Sequence, residues 1–438
     1  MIKIFNDIFK PHTPPLFAKD KVFLTSEIVG TALLVSEAFM KAPENYVIIT
    51  NNLYNAQKMI STLQTFVNPD DILFYPNDDL LFTEILTATK QLEAQRIFTL
   101  YKALEGQKKY IYVANLSAAL KPTLLPSYFS NFIKHLKVGD TLTIDRFVTH
   151  LVEMGYQNVA NVEQTMQFAT RGDIVDFFSA NEDYPVRVEF FDDVIDSIRR
   201  FNVSTQVSIA QLDKITILPA TESVLRKEEK VELLSQINRF FDESLKGYDE
   251  NEKELFRLGL DHQVATYLDG DESALSKYLL LHPHFRHDFL SYIKGPKVVL
   301  ANEPQLHASY ELITSQAEHF VHDSVRKHHL LPDLKLYQDY DRLLLYSNFM
   351  TKEFSEDGKE TELRISPIPS IRSKDDFIYE VKKMAKDGYE IYFSINNNTQ
   401  LEQVKTLLES AELTYKLEEE NCACNIVITY AYLPHGFA

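Results

Sequence analysis

Arg171, Arg187, Glu189 and Phe191 combine side-chain types that folding alone does not call for. An arginine offers a planar fork of donors to a carboxylate, and an aromatic ring beside it adds apolar contact and keeps water from the pair. On a solvated sheet face this is the composition of a binding hot spot, the chemistry of recognition and not of bond making. The surrounding stretch 167–201, QFATRGDIVDFFSANEDYPVRVEFFDDVIDSIRRF, reads as three antiparallel strands over Arg171–Phe178, Val186–Phe191 and Val194–Phe201. The turn formers of Ser179–Tyr184 and the pair Asp192-Asp193 separate them. The two-residue period of a strand puts Val186, Val188 and Phe190 on the core face and Arg187, Glu189 and Phe191 on the other. A plainer alternative has Phe191 covering a neighbouring loop while Arg187 and Glu189 pair across the sheet.

Three ordered motifs in this stretch, TRGDIVDFF at 170–178, PVRVEFFDD at 185–193 and IDSIR at 195–199, followed by Thr205-Gln206, carry a resemblance. They are similar to the domain shared by the bacterial transcription-repair coupling factors and excinuclease component B. The resemblance implies that this domain docks onto excinuclease component A. By motif position it assigns the contact to Arg171 before Gly-Asp, to Arg187 in the P-V-R-V-E strand, and to Phe191 before Asp-Asp. It extends along nearly the whole chain, most clearly over 70–220 and more weakly over 325–438, and corresponds to the amino-terminal part of the coupling-factor family.

A second place for chemistry is the first strand–turn–helix unit, since a nucleotide site needs glycines that let backbone N–H groups close on phosphate and a lysine for the terminal phosphates. The turn from Leu24 to Thr31, LTSEIVGT, has one glycine, no lysine, and Glu27 where an anion would sit. After the strand Lys297–Leu300, Asn302 stands where the related ATPase would carry a metal-binding aspartate, so Mg²⁺ would lose a charged ligand. No catalytic residue, cofactor or metal is therefore expected. The resemblance implies a nucleotide fold whose site has decayed, the family's ATP-dependent DNA translocase residing in domains absent here. His262, His282, His284 and His287 show no i, i+4 pair with a third ligand and read as scattered surface histidines.

The 438 residues suffice for about three domains, and 45% hydrophobic content supplies their cores. A net charge of -18, from 63 acidic and 45 basic residues, argues against a dedicated nucleic-acid binder, which needs a basic face to neutralise phosphates. Cys422 and Cys424, two apart on a strand, are too few and too close for a disulfide framework and read as core residues of a reduced, cytoplasmic protein. No apolar run reaches the roughly 18 residues of a membrane span, and Met1–Lys10 lacks the form of a signal peptide.

The elements that must position these residues follow from periodicity. Strands at 21–24, 46–50, 72–75 and 110–113 alternate with helices at 29–40, 55–66 and 84–104, with Asp78 and Asp79 in the loop 76–83, which implies a parallel sheet with helices on both faces. Thr141–Ile144 reads as a strand, Asp145–Met154 as a helix capped by its aspartate, and Ile215–Leu218 as a strand returning to the first sheet. Glu228–Leu245 is an amphipathic helix with Leu233, Leu234, Ile237 and Phe241 inward, and 249–292 is helical. Leu330–Ile371 reads as a linker, after which come helices at 376–386 and 399–410, the second capped by Thr399, and strands at 389–394 and 425–430.

The resulting fold class is α/β: a parallel-sheet domain resembling a decayed P-loop ATPase fold, interrupted by an inserted α+β domain with an antiparallel sheet, plus a small α/β domain. The expected boundaries are 1–125 and 215–325 for the two halves of the first domain, 126–214 for the insertion, 326–370 for the linker and 371–438 for a small domain that ends abruptly. The expected function is that of a monomeric, non-catalytic adapter recruiting excinuclease component A to stalled transcription complexes in nucleotide excision repair. RNA polymerase and DNA are partners implied for the full-length family. Against it stand a nucleotide-hydrolysing, helicase-like protein, which a GKT or GKS turn would support, and a DNA-binding repair module, which needs a basic groove.

Overall fold

The computed structural model describes residues 21–25, 28–78, 90–269, 271–353, 361–362, 373–417, 420 and 424–430. The chain begins with β1 (Lys21–Leu24), α1 (Ile28–Lys41), β2 (Tyr46–Thr50), α2 (Leu53–Phe66), β3 (Ile72–Tyr75), α3 (Lys90–Glu105) and β4 (Ile111–Asn115). β2 and β4 are buried along their whole length, as apolar, β-branched strands covered on both faces must be. Alternation divides them: Ile48 and Val113 pack with Val29, Ala32, Met59 and Leu63 of α1 and α2, whereas Val47 and Tyr112 pack with Ile97 and Leu100 of α3. Asn52 caps α2 by accepting from the Asn55 N–H at 2.8 Å. Helix α3 is described from Lys90, so Asp79 and the expected helical start at Glu84 lie outside the described residues.

The inserted segment supplies β5 (Lys134–Lys137), α4 (Ile144–Glu153), β6 (Gln157–Asn158), β7 (Gln167–Arg171), β8 (Ile174–Phe177), β9 (Val186–Phe191), β10 (Val194–Phe201), β11 (Ser208–Leu212) and β12 (Lys214–Ile217). β6 to β11 form one six-stranded sheet in the order β11-β10-β9-β8-β7-β6. The expected strand 171–178 is in fact two, because Gly172 takes a φ of +57° and turns the chain between Arg171 and Ile174. Thr141 makes only an isolated bridge to Val194, and the cap of α4 is Thr143, whose hydroxyl accepts from the Arg146 N–H at 3.3 Å. Asp145 lies instead in the first turn, where its charge complements the helix dipole. β12 does not return to the first sheet. It pairs antiparallel with β5, so that Ile215 and Ile217 are buried in a separate two-stranded ribbon.

The chain continues through α5 (Lys227–Ser244), α6 (Glu250–Leu268), a set of 3-10 turns, β13 (Lys297–Leu300), α7 (Glu303–Arg326), α8 (Tyr340–Tyr346), β14 (Ser347–Lys352) and β15 (Thr361–Glu362). Leu233, Ile237 and Phe241 of α5 are buried as expected, and Leu234 is half-buried. The parallel sheet has the order β15-β1-β14-β13-β2-β4-β3. This corrects the linker at 326–370: β14 lies between β1 and β13, paired with both. Its alternation of buried and half-buried residues places Phe349 and Thr351 in the sheet interior, while the charged run after it hides that pattern in a reading of composition. His282 also departs from expectation. It is fully buried, and its Nδ1 accepts from the His284 N–H at 3.2 Å to cap a one-turn segment. Among the described residues no group of three His, Cys, Asp or Glu side chains could hold a metal ion, and no helix is long and apolar enough to cross a membrane.

A smaller three-stranded parallel sheet holds β16 (Ile391–Ile395), β17 (Lys416–Leu417) and β18 (Ile426–Tyr430), with α9 (Lys374–Lys386) and α10 (Asn398–Ser410). Its core is Val381, Ile395, Leu408, Ile426 and Ile428. Asn397, not Thr399, caps α10. Cys424 is half-buried, and Cys422 lies outside the described residues.

One close approach makes a stability prediction. A Cβ on Gly259 of α6 would lie 2.2 Å from the His328 carbonyl oxygen, backbone that cannot swing away. Gly259→Ala should therefore lower unfolding free energy by about 1–3 kcal/mol in urea titrations, although alanine is the better helix former. An unchanged or higher urea midpoint would show that the two segments separate freely.

A candidate docking face on the inserted sheet

The inner face of the six-stranded sheet buries Phe177, Val186, Val188, Phe190, Ile195 and Ile198. They pack on α4, whose Phe147 ring lies 5.8 Å from Phe177 and 5.9 Å from Phe190. The outer face follows from the register. Arg171, Ile174, Glu189 and Ser197 form one row across β7 to β10, and Ala169, Asp176, Arg187, Arg199 and Gln211 form the next. Phe191 stands two residues beyond Glu189, opposite Val194. Both hairpin turns, at Gly172-Asp173 and Asp192-Asp193, lie at the same end of the sheet, so Arg171 and Phe191 sit at the bases of adjacent turns. Asp192 takes a φ of +51°, a conformation that aspartate tolerates.

The three residues singled out by sequence thus share one face but not one state. Phe191 is 73% exposed, with Val194 exposed beside it. The ring and the Val194 side chain together expose apolar surface at this end of the sheet. Arg171 is also exposed and reaches back to the Ala160 carbonyl at 3.1 Å and to Asn161. Arg187 differs. Its Nε and Nη2 donate to the two carboxylate oxygens of Asp176, each at 2.8 Å, and Nη2 also reaches Gln206 at 3.2 Å. The guanidinium lies 4.6 Å from the centre of the buried Phe201 ring, and the side chain is only 18% exposed. Hydrogen bonding to Asp176 raises its pKa further above the ordinary arginine value, so it remains cationic. Glu189 is likewise paired, with Arg199 and with the Ser197 hydroxyl at 2.9 Å. The charges thus pair across the sheet, Arg187 with Asp176 and Glu189 with Arg199, and Phe191 stands exposed. Sequence reading missed Ile174, Val194 and Arg199, which the register brings onto the same face; strict alternation from Val194 would put Arg199 on the inner face, and the bulge between Ile195 and Ser197 is what turns it outward.

A buried ion cluster seats the inserted segment on the parallel sheet. Glu222, just after β12, receives Arg96 of α3 through contacts of 2.8–2.9 Å, Lys121 at 2.5 Å, and the Tyr75 hydroxyl at 3.3 Å. Arg96 is 1% exposed and also donates to the Pro76 carbonyl at 2.9 Å. Burial alone would push the Glu222 carboxyl up, but Arg96 and Lys121 overcome it and hold it at about 2. Neighbouring Thr221 adds a hydrogen bond to Glu93 of α3 at 2.9 Å.

At the carboxyl end of the parallel strands, where α/β sheets hold ligands, lies a cleft of about 280 Å³. Asn302 lines it with a left-handed backbone, φ +56°. Thr25 is the last described residue of the β1–α1 turn; Glu27 lies outside the described residues.

Residues 135–222 match the family described as the UvrB interaction domain. Over 98% of its length the chain is 26% identical to the transcription-repair-coupling factor of Bacillus subtilis (strain 168), covering 38% of that protein. Over 92% it is 25% identical to the transcription-repair-coupling factor of Staphylococcus aureus (strain bovine RF122 / ET3-1), covering 36% of it. The chain therefore spans less than two-fifths of the length of these curated relatives.

Proposed function

We propose that this chain, similar over nearly its whole length to transcription-repair-coupling factors and carrying a UvrB interaction domain, is a non-catalytic adapter in transcription-coupled repair that recruits excinuclease component A. Arg171, Arg187 and Phe191 make the contact. The observation that carries this reading is Phe191, exposed beside Val194 and Arg171 on the outer face of a sheet that lies wholly within the matched residues. Arg171 meets a partner carboxylate directly. Arg187, its charge offset by Asp176, holds β8 and β9 together beneath the contact. RNA polymerase and DNA belong to the longer proteins of this family and not to the face described here.

The parallel-sheet body is read as a nucleotide fold without its nucleotide chemistry. Two features support this: the turn sequence 24–31 lacks the lysine, and the resemblance sets Asn302 where the related ATPase would carry an aspartate. Mixing the 438-residue chain with purified excinuclease component A should give a saturable complex by calorimetry, whereas titration with Mg-ATP should be flat. No complex at tens of micromolar, or micromolar Mg-ATP binding with turnover, would favour the hydrolase reading instead.

A further inference from the structure

The chain passes from the body into the inserted segment near Thr123 and returns near Arg226, and the 3-10 turns at 282–292 tie both crossings together. The Leu125 N–H donates to the His284 carbonyl oxygen at 2.7 Å, and the Thr123 N–H to that of His287 at 2.8 Å. The Tyr128 hydroxyl accepts at 3.0 Å from the N–H of Arg226, the N-cap of α5, and the His284 ring stacks on Tyr128 with centres 4.4 Å apart. His282 shapes this turn from inside. It is fully buried, and the His284 N–H, 3.2 Å from Nδ1, fixes that nitrogen as an acceptor, so the single ring proton sits on Nε2. Nε2 has no hydrogen-bond partner among the described residues, and the exposed Glu232 carboxylate of α5 lies 3.7 Å from it.

We infer that this turn is an acid-sensitive joint: a second proton on His282 breaks the bond that shapes it and loosens the junction between the inserted segment and the body. That proton has only Nδ1 to go to, where it would face the His284 N–H, donor against donor. Burial is the largest influence on His282 and on the half-buried His287, and it pushes both rings below the ordinary histidine range. Around His282 the Glu232 and Glu229 carboxylates of α5 pull the other way, and His284 adds to the effect of burial. Around His287, Arg342 of α8 and His284 add to it, and Asp288 opposes. Because the folded chain binds these protons more weakly than the unfolded chain does, the stability they contribute is present above pH 6.5 and is lost as pH falls below it. Glu222 acts only below 4.5, so the two effects separate. This inference rests on the turn 282–292 and is independent of the docking face.

The test is amide hydrogen exchange of the whole chain at about pH 7.5 and about pH 5.5, read as protection factors. In wild type the amides of Thr123, Leu125 and Arg226 should lose protection several-fold at the lower pH, while those of the β8–β9 ladder keep theirs. His282→Asn keeps an acceptor for the His284 N–H but takes up no proton, and it should hold its protection at both values. His319→Asn, at an exposed position on α7, should behave as wild type. Nitrogen NMR of wild type should show His282 still carrying a single ring proton below pH 6.5. Equal protection at both pH values in wild type, the same acid loss in His282→Asn, or a His282 that titrates at the ordinary 6.5 overturns the inference. The exchange and titration of wild type decide it even where His282→Asn fails to fold.

Discussion

Phe191→Ala is expected to weaken binding of excinuclease component A about thirtyfold, on the order of 2 kcal/mol, with the melting temperature unchanged. The ring is 73% exposed in the free chain, so truncation removes nothing from the core, and its whole cost falls on the complex. Arg171→Ala should behave alike, since its partners in the free chain are on an exposed loop. Arg187→Ala should separate from both. Asp176 is 5% exposed and its carboxylate would be left buried without its cation, a loss of several kcal/mol. That variant should lose stability as well as affinity, because Arg187 stands on the outer face while the carboxylate it leaves behind is buried. Arg187→Lys should recover little, because an ammonium cannot supply two parallel donors to Asp176. Calorimetric affinity and melting temperature on the same variants decide the matter. Normal affinity in both Phe191→Ala and Arg171→Ala would defeat the docking face.

The largest stability effect is expected at the ion cluster that joins the inserted sheet to the body. Arg96→Met should cost about 3–5 kcal/mol, since it leaves the buried Glu222 carboxylate with Lys121 as its remaining cation and the Tyr75 hydroxyl as a neutral donor. The cluster also fixes an acid limit. The folded-state pKa of Glu222, at about 2, lies below its ordinary value of 4.5, so the folded state binds its proton more weakly than the unfolded chain does. Its contribution, about 3 kcal/mol, is fully present above pH 4.5 and is lost as pH falls from there through 2. Urea midpoints measured across that window should drop in wild type. Glu222→Gln should start lower at neutral pH and show a shallower acid slope, because the titrating group is gone. Equal acid slopes in the two proteins would mean that other carboxylates carry the effect.

Much of this was legible in the sequence. The strands Val186–Phe191, Val194–Phe201 and Lys297–Leu300 fall where periodicity placed them, because alternation and β-branched runs are local properties that need no knowledge of neighbours. For the same reason the division of 186–191 into core and outer faces was correct. Phe191 could be singled out because a large aromatic at an outward position is anomalous without any partner being known.

What the tertiary structure decided is pairing. Whether Arg187 is free or spent depends on Asp176, eleven residues away and brought opposite by register. That Ser347–Lys352 is an interior strand and not a linker depends on β1 and β13, more than 300 and about 50 residues distant, closing over it. That Glu222 can be buried at all depends on Arg96, 126 residues earlier. Each is a long-range contact whose two ends carry no mutual signal in one sequence. A buried charge or a short strand is stable only through a partner, and the partner is chosen by the fold.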